Sequence, residues 1–522
     1  MIESNLIGFQ TSSKSDTFTI GVNPSTKEPL AGKFPNANKD EINFAVDQAS
    51  KAFEIYSKVS GKEKAEFLNA IADEIEKLGD ELISRCCAES GLPEIRIKGE
   101  KGRTIAQLQM FANLVEDGSW LEATIDRAML DREPIPKPDI RRILVPLGPV
   151  VVFAASNFPL AFSTAGGDTA SALAAGNPVI VKAHRAHPGT SAMIGTAVVK
   201  AAERTGMPDG VFSLLHGSGE VVGQGLVKHP KIKAAGFTGS QKAGRLLYDL
   251  ANQRVEPIPF FAEMGSVNPV LLLPSGLNQK TVAMLAGSIT MGVGQFCTNP
   301  GIIISLEGAG LTEFINQLGD ELSNVTPDVM LTEQICKSYN QEVESLLTHK
   351  EITLEARADN SKNDNRGRAT LVSVSGKSFI NNPKLSEEVF GPYSLIIKCQ
   401  NKSEIDQALN CLDGQLTGSI IGDNSELSSY DSAVKIIEKK VGRLIFNNVP
   451  TGVEVCPSMQ HGGPYPASSD SRFSSVGTAA IKRFVRPITY QSWPNDKLPD
   501  ELKDDNPLNI WRIVDGQLTK DQ

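Results

Sequence analysis

Three side chains in this sequence have the chemistry to make and release a covalent bond to carbon. Cys297 lies in "GVGQFCTNPG", among glycines, amides and a proline rather than the Val, Leu and Ile that surround a packed cysteine. Glycines there let backbone N–H groups and a small molecule approach the sulfur, which suits a nucleophile. Glu263, in "FFAEMGSVNPV", follows an apolar run that reads as a strand. A carboxylate in so apolar a setting has a raised pKa and can act as a base near neutral pH; a structural acid in a salt bridge fits equally well. Asn157, in "AASNFPLAFS", ends another apolar strand. Its amide could donate to a developing oxyanion without changing charge, or simply form a turn.

A second group suits an anion. "VIVKAHRAHP" sets Lys182 and Arg185 just past a strand's carboxyl end, where open α/β sheets bind ligands. Two cations three residues apart could hold a ribose hydroxyl and a 2′-phosphate, and the stretch has no acid to bond a free 2′-hydroxyl. A solvated surface pair would look the same. "FTGSQKAGRLLYDLA" puts Gly239 and Ser240 between a strand and a helix, where free N–H groups and the helix dipole favour a pyrophosphate. The glycine spacing is not GxGxxG, so a turn with a serine cap stays open. His184 and His187 have HxxH spacing but no third ligand nearby, so no metal site is expected. Cys86-Cys87 reads as core packing. His461, in "QHGGPYPASSD", reads as part of a turn at the site entrance rather than as a catalyst.

These residues need a frame. From about Asp40 to Gly118 apolar positions recur at helical spacing, broken at Leu92-Pro93. The Pro-rich stretch 130–149 reads as two extended strands around a turn, a ribbon that is marginal alone. Short apolar runs at 150–156, 178–183, 210–217 and 232–239 alternate with helical segments, the pattern of a doubly wound parallel sheet. A run at 258–273 opens a second α/β region reaching about Pro450. The tail at 483–494 reads as a lone strand with no local partner.

Bulk composition narrows the classes. A chain of 522 residues exceeds one ordinary core, and 40% hydrophobic with 22% charged residues describes a soluble globular protein. A net charge of −9 argues against general affinity for nucleic acid or anionic lipid. Seven cysteines without a CxxC suggest free thiols in a reducing compartment. The N-terminus lacks a secretory pattern and the longest apolar run is too short to span a bilayer, so the cytoplasm is the expected address, without membrane partners.

Asn-Phe-Pro, the Lys182 segment, Phe-Thr-Gly-Ser, Glu-Met-Gly, Gly-Gln-x-Cys and "EEVFGP" (387–392) follow the order and approximate spacing of the aldehyde dehydrogenase superfamily, which the chain resembles from about residue 20 to 490. The resemblance implies an α/β fold with a Rossmann-type cofactor domain (1–124 and 146–260) and an α/β catalytic domain (261–450). It also implies β oligomerisation elements (125–145 and 480–495) and a substrate-entrance segment (451–479). Cys297 would attack the aldehyde, Asn157 and the Cys297 N–H would hold the oxyanion, and Glu263 would activate the hydrolytic water. Glu388 would bind the nicotinamide ribose and Phe390 place the ring. Lys182, Gly239 and Ser240 would meet the adenosine ribose and pyrophosphate. Arg185 stands where many NAD-preferring relatives have an acid, which implies NADP, with NAD used less efficiently.

The tail, "CPSMQHGGPYPASSDSRFSSVGTAAIKRFVRPITYQSWP", resembles the NADP-linked branch containing α-ketoglutaric semialdehyde (2,5-dioxovalerate) dehydrogenases and a fatty aldehyde dehydrogenase. The expected reaction is oxidation of that semialdehyde to 2-oxoglutarate in sugar-acid, pentose or hydroxyproline breakdown. A small-molecule substrate ending in a carboxylate needs a cation, for which Arg103 and Arg472 are the candidates. A long-chain aldehyde needs an apolar tunnel instead, which Phe111, Phe158, Phe296 and Phe473 could line. Phe158 and Phe296 are expected in the channel either way. A non-redox cysteine acyltransferase would leave the nucleotide-site residues without purpose. A homodimer or homotetramer is expected.

Overall fold

The computed structural model describes residues 3–359 and 365–521. Its first sheet has the order Phe260–Glu263, Ala234–Thr238, Val150–Phe153, Val179–Lys182, Phe212–Leu215, with Asn5–Ile7 and Gln10–Ser12 added at one edge. The first five strands are parallel, and the last two join antiparallel. Val150–Phe153, Val179–Lys182 and Phe212–Leu215 are buried along their whole length, as strands covered on both faces must be. Strand order reverses beside Val150–Phe153, so a crevice opens at the carboxyl edge there, the usual ligand position of a doubly wound sheet. Asn157, Lys182, Gly239, Ser240 and Glu263 all stand at or just beyond that edge.

The helical region divides into Lys39–Tyr56, Gly61–Lys77, Gly79–Ser90 and Glu94–Asp117. Asn38 with Glu41, and Ser60 with Glu63, form reciprocal capping boxes that start the first two. The last two stop at Gly91 and Gly118, whose φ of 69° and 72° an L side chain would resist. Helix Glu94–Asp117 lies beside the cofactor sheet and presents Glu100, Thr104, Gln107, Leu108 and Phe111 to the interior.

The apolar run 258–273 straddles two sheets. Phe260–Glu263 completes the first, whereas Val270–Leu272 sits inside the second, ordered Thr353–Arg357, Thr370–Ser375, Tyr393–Cys399, Ile302–Leu306, Val270–Leu272, Gln415–Ile421, Val441–Phe446. The boundary read at 260/261 therefore falls within a strand, and the chain passes between sheets at 264–269. Glu263 is thus carried by the first sheet, and Cys297 by the segment leading into the second.

The tail strand Val485–Gln491 does not lack a partner in its own chain. It pairs antiparallel with Ile140–Pro146 over seven residue pairs. The ribbon's other strand is Thr124–Asp126, outside the stretch 130–149, because Pro134, Pro136 and Pro138 supply no N–H to a ladder. Residues past 495 add Arg512–Val514 and Gln517–Thr519 to the same sheet, a contribution that the sequence reading did not anticipate. All seven cysteines are free thiols. Among the described residues no helix is long and apolar enough to cross a membrane.

Candidate active site

Cys297 is presented by a backbone that almost no other sequence could follow. Gly292, Val293 and Gly294 have φ of 55°, 58° and 64°, three consecutive left-handed residues. Glycine adopts this at no cost, but a β-branched valine there is strained by about 1–3 kcal/mol. A Cβ on Gly294 would run into the Gly391 carbonyl and the Pro392 nitrogen. Downstream the turn is clamped by Asn268, whose amide donates to the carbonyls of Cys297 (2.8 Å) and Asn299 (2.9 Å). Asn268 is held in turn by Ser266 and Thr417, inside a buried network that includes Gln415. The Cys297 N–H donates to nothing among the described residues. The glycines thus bend the chain at a point where Cys297 stays partly exposed with its N–H unused among the described residues.

Asn157 reaches the same place from the first sheet. Its Nδ2 donates to the Gln295 carbonyl at 3.1 Å, two residues before Cys297, and makes no other hydrogen bond among the described residues. Its backbone carbonyl accepts from Arg96 Nη2 at 2.8 Å. The Arg96 guanidinium lies against two rings, 4.8 Å from the Phe158 centroid and 4.6 Å from that of Phe296. Phe158 and Phe296 meet edge to face at 5.3 Å. Phe296 adjoins Cys297 in the chain and Phe158 packs on it, whereas Phe111 is core and Phe473 packs on Phe261 at 5.1 Å. The four phenylalanines do not form one tunnel lining.

Glu263 is buried and has company the sequence reading missed. His461 Nε2 lies 3.0 Å from Glu263 Oε1 and 3.7 Å from Cys297 Sγ, and Ser475 Oγ donates to Glu263 Oε2. The reactive atoms of Glu263, Cys297 and His461 all fall within 4.8 Å of one another. Burial pushes the Glu263 carboxyl up, but the His461 ring and the hydrogen bonds from His461, Ser475 and Cys297 outweigh it and hold the group below its ordinary value. This corrects the raised pKa expected from the apolar sequence context. It also corrects the reading of His461 as a mere turn residue. Burial and the Glu263 charge raise the Cys297 thiol well above its usual value, so the resting sulfur keeps its proton.

The segment carrying His461 and Ser475 is stitched to the Glu263 strand. Met264 N donates to Ala467 O (2.8 Å), Ser469 N to Ala262 O (2.9 Å), and Ser468 bridges Glu263. Nothing near His461 in sequence marks this, because its partners lie about two hundred positions upstream. A lone buried histidine among glycines and prolines was the available signal.

At the sheet's other carboxyl ends, Lys182 is buried with no ion pair among the described residues, and burial with the nearby Arg185 charge holds its ammonium down at about 8. Arg185 is exposed and likewise has no salt-bridge partner among them. Ser240 caps helix Gln241–Asn252 and is open to solvent with Gly239, leaving that helix start accessible. Glu388 is half-buried against Gly265, where a Cβ would collide with its carboxylate, and burial raises it to about 7. Phe390 lines a crevice with Glu388, Ser266 and Asn299. A pair of cations without an ion-pair partner among the described residues and an open helix start suit a phosphate-bearing ligand.

Two readings fare differently. Arg472 is exposed and tied to Asp470 in its own turn, so it does not join the residues around Cys297 and is set aside as a substrate ligand. His184 and His187 stack at 5.3 Å, with His187 bonded to Ala155 O and Ser191.

The family model described as "Aldehyde dehydrogenase family" matches residues 10–485. The chain is 46% identical over 516 residues to an α-ketoglutaric semialdehyde dehydrogenase 2 of Azospirillum brasilense, covering 98% of each chain. It is 43% identical to an α-ketoglutaric semialdehyde dehydrogenase of Acinetobacter baylyi, covering 96% of this chain and 95% of that one. Among solved structures, lactaldehyde dehydrogenase of Escherichia coli superposes with a TM-score of 0.81 at 21% identity, covering 94% and 98% of the two chains. Matches of that reach, on a chain whose two sheets meet at a thiol and a buried carboxylate, make this protein a member of the aldehyde dehydrogenase family.

Proposed function

We propose that the protein oxidises α-ketoglutaric semialdehyde to 2-oxoglutarate with NADP, through a thioester on Cys297. The observation that carries this reading is the meeting of Cys297, Glu263 and His461 within 4.8 Å at the carboxyl edge of the cofactor sheet. The two relatives at 46% and 43% identity, both named for that semialdehyde, support the choice of substrate.

The thiol must lose its proton before sulfur can attack. The Glu263 carboxylate accepts it as the C–S bond forms, because His461 Nε2, 3.7 Å from the sulfur, already donates to Glu263 at 3.0 Å, and Glu263 releases that proton to solvent before the hydrolytic step. The second Asn157 amide hydrogen and the free Cys297 N–H receive the oxyanion. The nicotinamide, when bound, accepts the hydride that leaves this carbon. Glu263, kept ionised by His461 and Ser475, then takes a proton from water as its oxygen adds to the thioester, and the acid departs with the thiol restored.

Family members use NAD or NADP. Lys182, Arg185, Gly239 and Ser240 would hold the adenosine phosphates, and Glu388 with Phe390 the nicotinamide ribose and ring. The absence of an acid beside Lys182 and Arg185 favours the 2′-phosphorylated form. Family members are typically oligomeric. Strand Val441–Phe446 leaves one edge of the second sheet open and exposes Leu444 and Phe446, which supports pairing with a second copy's tail strand.

Absorbance at 340 nm tests the proposal. Purified protein should reduce NADP faster than NAD with α-ketoglutaric semialdehyde, and a Cys297→Ser variant should lose the signal. No reduction of either coenzyme would overturn it, and a higher kcat/KM with long-chain aldehydes would replace the substrate.

A further inference from the structure

We propose that Arg103 and Gln107 form the seat for the carboxylate at the substrate's far end, which rests on the reading of the substrate as an acid-bearing aldehyde. Three guanidiniums lie near Cys297 or the rings beside it, and among the described residues Arg103 alone has two donors buried without a partner, against one, Nε, on Arg443. Arg96 donates to the Asn157 carbonyl, faces Glu100 at 4.0 Å and is wedged between the Phe158 and Phe296 rings. Arg443 spends its terminal nitrogens on the carbonyls of Pro450 (2.6 Å) and Gly452 (2.9 Å). Arg103 Nε and Nη2 are both closed off from solvent and have no hydrogen-bond partner among the described residues.

Arg103 lies over the same aromatic wall, its Cζ 5.4 Å from the Phe162 centroid and 5.9 Å from that of Phe158. The charges it feels are those of Glu100, Cys297, Glu263 and Glu454, which puts it in the field of the reacting groups. One turn further along helix Glu94–Asp117, Gln107 is 3% exposed, and its Nε2 is also buried without a partner. Gly167 leaves room for that amide, since a Cβ there would come within 2.8 Å of it. Arg96, Glu100, Arg103 and Gln107 follow a 4, 3, 4 spacing that places them on one helix face.

Bare buried donors are costly unless a ligand satisfies them. The free edge of Arg103, Nε beside Nη2, matches the two oxygens of a planar carboxylate, and the Gln107 amide adds a third donor for that group or an adjacent keto oxygen. Glu100 does not fill this role: its Oε1 accepts from the N–H groups of Leu160 (2.9 Å) and Ala161 (3.0 Å), and its Oε2 faces Arg96 at 4.0 Å and makes no hydrogen bond to Arg103. The same unsatisfied charge disfavours an aliphatic tail, and so separates the two substrate readings left open by the sequence.

The test compares α-ketoglutaric semialdehyde with pentanal, a neutral five-carbon aldehyde, at saturating NADP. Arg103→Met should raise KM for the semialdehyde about 100-fold and that for pentanal about threefold or less, with Arg103→Lys intermediate. Gln107→Leu should raise KM for the semialdehyde about tenfold. Arg472→Met is the exposed control and should change neither. A second readout needs no turnover: 2-oxoglutarate should slow alkylation of Cys297 by iodoacetamide in the unaltered protein and fail to do so in Arg103→Met. Equal losses with both aldehydes, or protection that survives Arg103→Met, would overturn the seat. If the unaltered protein ignores α-ketoglutaric semialdehyde yet 2-oxoglutarate protects through Arg103, the substrate reading fails and the seat stands.

Discussion

Replacing Glu263 with glutamine should make Cys297 more acidic and hence more reactive toward an alkylating agent at neutral pH, although the variant can no longer complete catalysis. The carboxylate lies no more than 4.8 Å from the sulfur. At an effective dielectric of about 20, a unit charge at that distance opposes thiolate formation by about 3.5 kcal/mol, or about 2.5 pK units. Cys297 is partly exposed to its cavity, so screening reduces the shift to about one to two units. Glutamine preserves the volume and can still accept the Ser475 hydrogen bond, so the backbone around the thiol should be undisturbed. The assay is the rate of iodoacetamide modification of Cys297 against pH, read by peptide mass so that Cys297 is told from the exposed Cys411 and no turnover is required. The midpoint should move to lower pH, because loss of the neighbouring negative charge favours the anion. A midpoint that stays within a few tenths of a unit, or moves upward, would refute the account of why the resting thiol holds its proton.

His461→Gln should act on the same pair in another way. With the imidazole gone, burial lets the Glu263 carboxyl rise, so the base is lost at a higher pH and the acid limb of the kcat profile should move up by about one unit or more; an unmoved limb would exclude His461 from setting that charge. Gly265→Ala places a methyl against the Glu388 carboxylate and should raise KM for the coenzyme about tenfold while the melting temperature holds; an unchanged KM would remove Glu388 from coenzyme binding. Arg185→Glu should raise KM for NADP about 100-fold and that for NAD about threefold or less, and an equal response would refute a 2′-phosphate contact at this residue.

Local signals served where one element carried its own message. The runs at 150–156, 178–183, 210–217 and 232–239 form parallel strands because each is mostly apolar and bounded by turns. The stretch 258–273 was ambiguous because its two strands share one composition, and only tertiary pairing sends Phe260–Glu263 to one sheet and Val270–Leu272 to the other. The tail strand looked partnerless because its mate, Ile140–Pro146, is remote in sequence. The same remoteness concealed His461. Glu263 was identified as a possible base from its strand, but the direction of its pKa depends on a ring and a hydroxyl contributed from far downstream. Arg103 could be named but not distinguished from Arg472, since exposure and unpaired donors exist only in three dimensions.

The stitching of the 461–475 segment onto the Glu263 strand has a bearing on biosynthesis. A ribosome delivers His461 and Ser475 about two hundred residues after the strand they are stitched to. Until then the growing polypeptide carries Cys297 and Glu263 without the ring and hydroxyl that meet the carboxylate. Any fragment that stops before Ser475 therefore lacks the groups that hold Glu263 ionised.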